Sequence, residues 1–230
     1  MSNWELFWEK FYTQGGYENF LQGLANTAII AVFGLIIGFF LGCLLAVINI
    51  IPSKSIPTKI LRGVAGVYIA VFRGTPMVVQ LLLLHFALFP MMGLDIDSVA
   101  EATIIFGMNS GAYMAEIVRS GVNGVDKGQL EAGRCVGLGF AASMVRIVLP
   151  QAIKNILPTI GNEFITLLKD TSIVSFIAVV DLTKSLKMIA DSTYEYFVPY
   201  IVLAAVYLVI VLAITGLLKL LEKRLKRNER

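Results

Sequence analysis

Residues 28–48 read AIIAVFGLIIGFFLGCLLAVI, twenty-one residues without a charge. About twenty apolar residues carry a helix across the hydrocarbon core of a bilayer. Residues 198–218, VPYIVLAAVYLVIVLAITGLL, repeat that length with only a proline and a threonine as interruptions. The composition agrees: 57% of the 230 residues are hydrophobic, mean hydropathy is +0.78, and 15% are charged against about 25% in soluble domains. Two such runs in one chain specify an all-α membrane protein with several spans.

Three further segments are apolar but interrupted. Residues 64–90 contain Arg73-Gly74-Thr75-Pro76, residues 98–118 contain Glu101, Asn109, Ser110 and Glu116, and residues 152–180 contain Glu163 and Lys169-Asp170. Counting all of them predicts five transmembrane helices and termini on opposite sides. Fourteen of the nineteen basic residues then share one side. They are Lys54, Lys59 and Arg62 after the first span, five between or beside the third and fourth, and six from Lys219 to Arg230. The positive-inside bias makes that side cytoplasmic, with the N-terminus and the acidic LDID at 94–97 outside.

Residues 1–18 hold Trp4, Phe7, Trp8 and Phe11 at i, i+3, i+4 and i+7, the pattern of an amphipathic helix at the outer interface. With three glutamates and one lysine in the first twenty residues, this start does not read as a signal peptide. Residues 19–221 form the expected membrane domain and 222–230 a basic cytoplasmic tail. Gly34, Gly38 and Gly42 make a small-xxx-small ridge, on which another helix can approach closely. Cys43 and Cys135 imply no disulfide framework.

The cytoplasmic loop at about 120–150 is the largest. Within it, residues 131–150 read EAGRCVGLGFAASMVRIVLP. That is too short for a globular domain, yet too patterned for a tether. Glu131, Ala132, Cys135 and Val136 predict one small helix. Gly137 and Gly139 end it, Met144, Ile147 and Val148 return an apolar face, and Pro150 suits the first turn of the next helix.

The spacing of Glu131, Ala132, Gly137, Ile147, Leu149 and Pro150 resembles the EAA loop of the membrane subunits of ABC importers, with Gly133 where that pattern has a second alanine. FRGTP at 72–76 and NEFITLLKDTSIVS at 162–175 resemble the polar amino-acid branch of that family, as does the five-span, N-outside layout. The resemblance implies a permease subunit in the inner (plasma) membrane of a bacterium. Glu131, Ala132, Gly133, Gly137, Ile147, Leu149 and Pro150 would form a coupling helix, between helices 3 and 4, that docks on an ATPase. It further implies a pair of ATP-binding subunits holding ATP and Mg, a second permease subunit, identical or homologous, and an extracytoplasmic substrate-binding protein. This chain would bind no cofactor itself. It has no GxxxxGK[ST] phosphate loop and no GxSxG or HExxH motif, and its single histidine, His85, lies in an apolar run, so an enzyme is not expected.

Charged groups inside spans face cavities or partners rather than lipid. Glu163, Asn109, Tyr113 and Asn26 are therefore candidate substrate contacts, with inter-helix hydrogen bonds as the alternative. Arg73, Pro76, Lys169 and Asp170 read as gate or structural residues. Thr75 before Pro76, and Asp170, Thr171 or Ser172, can cap helices that restart in mid-span, where free N–H groups hold an anionic substrate group. A nearby carboxylate holds a cation. The combination suits a zwitterionic or basic amino acid. Two readings from other classes remain: a secondary transporter or channel independent of any ATPase, and a scaffold that docks a partner without transport.

Overall fold

The computed structural model describes residues 2–52 and 55–227, and every regular element among them is helical. Lys54 and Arg230 of the basic clusters, and residues 228–230 of the expected tail, lie outside the described residues. Helix α1 (Asn3–Thr13) opens on a capping box, in which Ser2 Oγ accepts from the Glu5 N–H and the Glu5 carboxylate accepts from the Ser2 N–H. Its aromatic face is split. Phe7 is buried against Leu186, Ile189 and Val198, whereas Trp4, Trp8 and Tyr12 face outward. Gly15, at φ 74°, turns the chain into α2 (Gly16–Ile50).

Helix α2 is 35 residues long, about 50 Å at 1.5 Å per residue. Arg62 holds its far end, donating to the carbonyls of Ile48 and Ile51 across the turn to α3 (Ile56–Gly74). A basic residue predicted to mark the cytoplasmic side thus also closes a helix C-terminus. Helix α4 (Met77–Met91) leaves α3 at 109°. Asp97 then caps α5 (Ser98–Asn123), accepting from the N–H groups of Val99 and Ala100. A short helix, α6 (Lys127–Cys135), precedes the long α7 (Phe140–Ile177), followed by α8 (Leu182–Thr193) and α9 (Phe197–Arg227).

Three of these helices are long and apolar enough to cross a membrane: Gly16–Ile50, Phe140–Ile177 and Phe197–Arg224. The bent pair α3–α4 makes a fourth if it counts as one span. The segment expected as the third span, α5, does not meet that measure. Its position explains why: thirteen of its 26 residues are buried, among them Glu101, Asn109 and Ser110, so it meets other helices more than lipid. A helix surrounded by protein has no need of apolar residues all round.

The seam between α2 and α5 dominates the packing. A Cβ at Gly38 would lie 2.6 Å from Ser110 and one at Gly42 2.3 Å from Met114. From the other side, Gly107 and Gly111 receive Ile37 and Leu41, with gaps of 2.5 and 2.7 Å to a notional Cβ. Knobs on each helix enter glycine notches on the other, and the backbones approach closely.

Three prolines sit inside continuous helices, Pro90, Pro150 and Pro158, and the first two follow a widened turn. Leu84–Leu88 and Met144–Val148 are π-turns, and each stops two residues before a proline, Pro90 and Pro150. The Phe89 N–H bonds to the Leu84 carbonyl and the Leu149 N–H to the Met144 carbonyl, five residues back in each case. A widened turn relieves the clash and the missing donor that proline brings to a helix interior. Pro150 therefore does not start a helix, as its first-turn preference predicted; α7 begins ten residues earlier, at Phe140. The restart expected at 170–172 is also absent. The helix tightens into a 3-10 segment, Thr171–Ile177, and ends at Ala178 with φ 63°. Thr171 and Ser175 donate to the carbonyls of Leu168 and Ser172, so the hydroxyls serve the helix interior rather than a new N-terminus.

Gly42→Val is expected to destabilise the protein by at least the roughly 1–3 kcal/mol typical of overpacking, seen as a lowered unfolding midpoint in detergent. Gly216→Val, where no atom lies within 4 Å of a notional Cβ, serves as the control and should leave the midpoint nearly unchanged.

Candidate functional site

Four residues singled out in the sequence line one enclosed space. Asn109 and Tyr113 from α5 meet Glu163 and Asp170 from α7, together with Thr166 and Leu167, and Thr75 and Met77 close the side at the α3–α4 bend. The volume is about 120 Å³. Helical spacing explains the assembly: Asn109 and Tyr113 are four apart, Glu163 and Asp170 seven apart, so each pair shares one helix face.

The site's hydrogen bonds tie four helices together, α3, α4, α5 and α7. Ser110 Oγ donates to Glu163 Oε1 at 3.2 Å. Asn109 Nδ2 donates to Gln80 Oε1 at 2.8 Å, with the Phe72 carbonyl 3.5 Å away. Gln80 Nε2 in turn serves the carbonyls of Phe72 and Thr75 and the Thr75 hydroxyl, at 2.8 to 2.9 Å. Gln80 is thus what stabilises the bend. Thr75 does not cap α4 as expected; its backbone is extended, its hydroxyl donates to the Val71 carbonyl, and Pro76 occupies the N-cap with no side-chain cap bond. Gln80 escaped the sequence reading. The available signal was a lone amide in the apolar run MVVQLLLL, a group that must find a partner in lipid surroundings.

Arg73 lies next to this space rather than in it. Its guanidinium sits 5.5 Å from the Tyr113 ring centroid and 3.6 Å from Glu116, which also binds Arg119 through both carboxylate oxygens. Arg73, Tyr113, Glu116 and Arg119 border an open cleft of about 520 Å³ that continues past Gly121 and Asn155. Tyr113 lines both the enclosed space and the cleft. Pro76 is exposed at the bend and Lys169 is exposed on α7, apart from its neighbour Asp170. Asn26 joins none of these groups: its amide donates to the Val180 carbonyl at 2.8 Å, tying α2 to the segment before α8. His85 lies with Nδ1 2.7 Å from Glu101 Oε2, a pair between α4 and α5.

The polar loop folds into a separate face. Asp126 caps α6 by accepting from the Gly128 N–H. The helix starts at Lys127, four residues before the expected Glu131, and ends in a Schellman motif: Leu138 N–H bonds to the Gly133 carbonyl and Gly137 N–H to that of Arg134. Gly137, at φ 88°, holds the left-handed position the motif requires. Gly133 is buried where α6 meets α7, and a Cβ there would lie 2.8 Å from both the Ile147 side chain and Ser143 Oγ. The glycine in place of alanine therefore permits close docking. Glu131 and Ala132 are exposed, and Glu131 lines an open cleft of about 680 Å³ with Lys127, Arg134 and Phe140. Leu149 is half-buried and Pro150 exposed in α7 beneath. Among the described residues no cluster of acidic, histidine or cysteine side chains has the make-up of a metal site.

Residues 38–227 match the model of the family described as binding-protein-dependent transport system inner membrane component. The chain is 39% identical over 209 residues to the arginine transport system permease protein ArtQ of Bacillus subtilis, covering 91% of this chain and 93% of that one. It is 37% identical over 205 residues to the putative glutamine transport system permease protein GlnP of Rickettsia bellii, 89% and 92% covered. The L-cystine transport system permease protein TcyB of B. subtilis is also 37% identical, over 193 residues, 84% and 82% covered. Among solved structures, an amino acid ABC transporter crystallised with histidines superposes with a TM-score of 0.83 at 41% identity, covering 93% of this chain and 98% of that one.

Gln80→Leu is expected to lower the unfolding midpoint, because it strips partners from Asn109 and from the carbonyls at the bend; each buried group left unpaired costs about 1–3 kcal/mol. Val79→Leu, one residue away on an exposed face, is the matched control.

Proposed function

The chain belongs to the family of binding-protein-dependent transport system inner membrane components, and from that membership we propose that it forms the amino-acid pathway of an ATP-driven importer. The observation that carries this reading is the enclosed space in which Glu163, Asp170, Asn109 and Tyr113 converge, beside a separate face formed by the EAA-like loop. The relatives named for arginine, glutamine and cystine are nearly equally similar, so overall identity does not choose the substrate. The chemistry of the lining favours one. Two carboxyl groups and no basic side chain border the space, which suits a polar amino acid with a cationic group.

In this reading Glu163 and Asp170 hold the cationic end, while Asn109 and Tyr113 contribute polar contacts. At about 120 Å³ the space is smaller than the roughly 300 Å³ and more of ordinary ligand sites, so binding parts its walls. The mobile wall is the bend carrying Thr75 and Met77, which rests on one glutamine. Arg73 over Tyr113 separates the site from the open cleft and acts as the gate on that side. Asn26 serves as a structural tie rather than a ligand.

Five spans follow if α5 crosses the membrane within its ring of neighbours and α3–α4 crosses as a bent unit. The length of α5, about 39 Å at 1.5 Å per residue, supports this. Residues 1–18 then lie at the outer interface, residues 19–221 form the permease, and α9 carries the basic end into the cytoplasm. Residues 131–150 dock on an ATPase subunit, which holds ATP and Mg. Exposed Glu131 and Ala132, on a helix seated on α7 through Gly133, support a rigid lever over a loose tether. A second permease subunit, identical or homologous, completes the pathway, with the exposed face of α3 around Gly63 and Gly66 open to close helix approach. A substrate-binding protein delivers the amino acid outside.

Glu131→Arg is expected to abolish co-purification of the ATPase while the permease still inserts; undiminished co-purification sinks the docking assignment. In proteoliposomes with the assembled complex, Glu163→Gln is expected to reduce ATP-driven uptake of a basic amino acid about tenfold or more, the effect of losing one charged hydrogen bond, with assembly intact. Wild-type uptake driven by an ion gradient without ATP would replace the importer reading with that of a secondary carrier.

A further inference from the structure

The last helix is the least embedded. None of the residues of its most apolar stretch is buried, although that stretch is as apolar as the best of α2. It meets α7 where Leu218 enters the notch at Gly161; a Cβ there would lie 2.5 Å from the Leu218 side chain. Beside that contact runs a groove of about 390 Å³. Its walls are Leu157, Ile160 and Phe164 of α7 and Leu218 and Leu221 of α9, with Pro158 lining it where the helix lacks one N–H. The sides are hydrocarbon almost throughout. Glu222 and Arg224, one turn beyond Leu218 and Leu221 on α9, border it at one end.

That arrangement has a direction. The helices are antiparallel, so Leu157 and Arg224 are near one membrane face and Phe164 lies deeper. The same end of α9 carries Lys219 and Lys223. Neither Glu222 nor Arg224 makes a side-chain hydrogen bond or ion pair among the described residues. A guanidinium at the headgroup level binds a phosphodiester well. A carboxylate two residues away accepts from a headgroup that still has N–H or O–H to give.

We propose that the α7–α9 groove is a binding site for one glycerophospholipid, with an acyl chain along Leu157, Ile160 and Phe164, the phosphate on Arg224 and a hydrogen-donating headgroup, glycerol or ethanolamine, on Glu222. The lipid takes the place of packing that α9 does not make with α7. It differs from lipid elsewhere on the surface in headgroup preference, because choline has no hydrogen to donate to Glu222.

The test is native mass spectrometry of the assembled transporter, exchanged into detergent with equimolar phosphatidylglycerol and phosphatidylcholine of identical chains. The expected result is one retained lipid per copy of the chain, with phosphatidylglycerol favoured roughly tenfold, the size of one or two charge-assisted hydrogen bonds. Arg224→Gln should remove most of that preference, and Glu222→Gln should narrow it. Leu157→Trp, at a position 40% exposed and therefore tolerant of a larger side chain, should fill the groove and reduce retention of both lipids. Equal retention of the two lipids by the unmodified protein, or a preference unmoved by Arg224→Gln, overturns the proposal. So does an efficient disulfide between Leu221→Cys of two copies of the chain, which would mean that protein covers the groove.

Discussion

The seam between α2 and α5 is the contact on which the rest of the structure depends. In lipid there is no hydrophobic gain from pairing two apolar helices, so association rests on close van der Waals contact. Glycines at 34, 38 and 42 on one side and 107 and 111 on the other make that contact possible. The same seam aligns the site. The Ser110 hydroxyl that donates to Glu163 is also the group that a side chain at Gly38 would strike. A change in the glycine ridge is therefore transmitted to Glu163 within one side chain, and packing and binding are not separable here.

Irregular backbone is concentrated where helices must carry something other than lipid-facing surface. The bend at Gly74–Pro76 leaves carbonyls without helical partners, and one buried amide, Gln80, satisfies two of them, those of Phe72 and Thr75. The π-turns before Pro90 and Pro150 solve a different problem, keeping a helix continuous through a residue that cannot donate. The second of these lies beneath α6, since Ile147, which packs on Gly133, is part of it.

The membrane class, the glycine ridge, the break at Arg73–Pro76 and the close placement of Glu163, Asn109 and Tyr113 were legible because each rests on one-dimensional rules: length, helical period, and the penalty for charge in lipid. Legibility failed where partners decided. Asn26 obeyed the same polarity rule as Asn109, yet it meets a backbone carbonyl instead of the cavity. Gln80 and Glu116 carry the network around the site, but a lone polar residue says that a partner exists, not which one. Helix α5 fell below the apolarity of a span for the same reason: hydropathy reports what faces lipid, and half of this helix faces protein. The 3-10 ending after Asp170 went unforeseen because Thr and Ser serve helix starts and helix interiors alike, and only the surrounding packing selects between them.

Charge is divided across Tyr113. On one side lie Glu163 and Asp170 with no basic side chain; on the other lie Arg73 and Arg119 with Glu116 between them. Any cation is attracted to the first side and meets a net positive cluster on the second. Two features soften that barrier. Glu116 holds both guanidinium groups, and Arg73 is more than two-fifths exposed, where solvent screens its charge. A cation leaving the acidic side can also exchange for Arg73 on the face of Tyr113, since one aromatic ring serves either cation. Tyr113 thus borders both sides, and the sign of the charge changes across its ring.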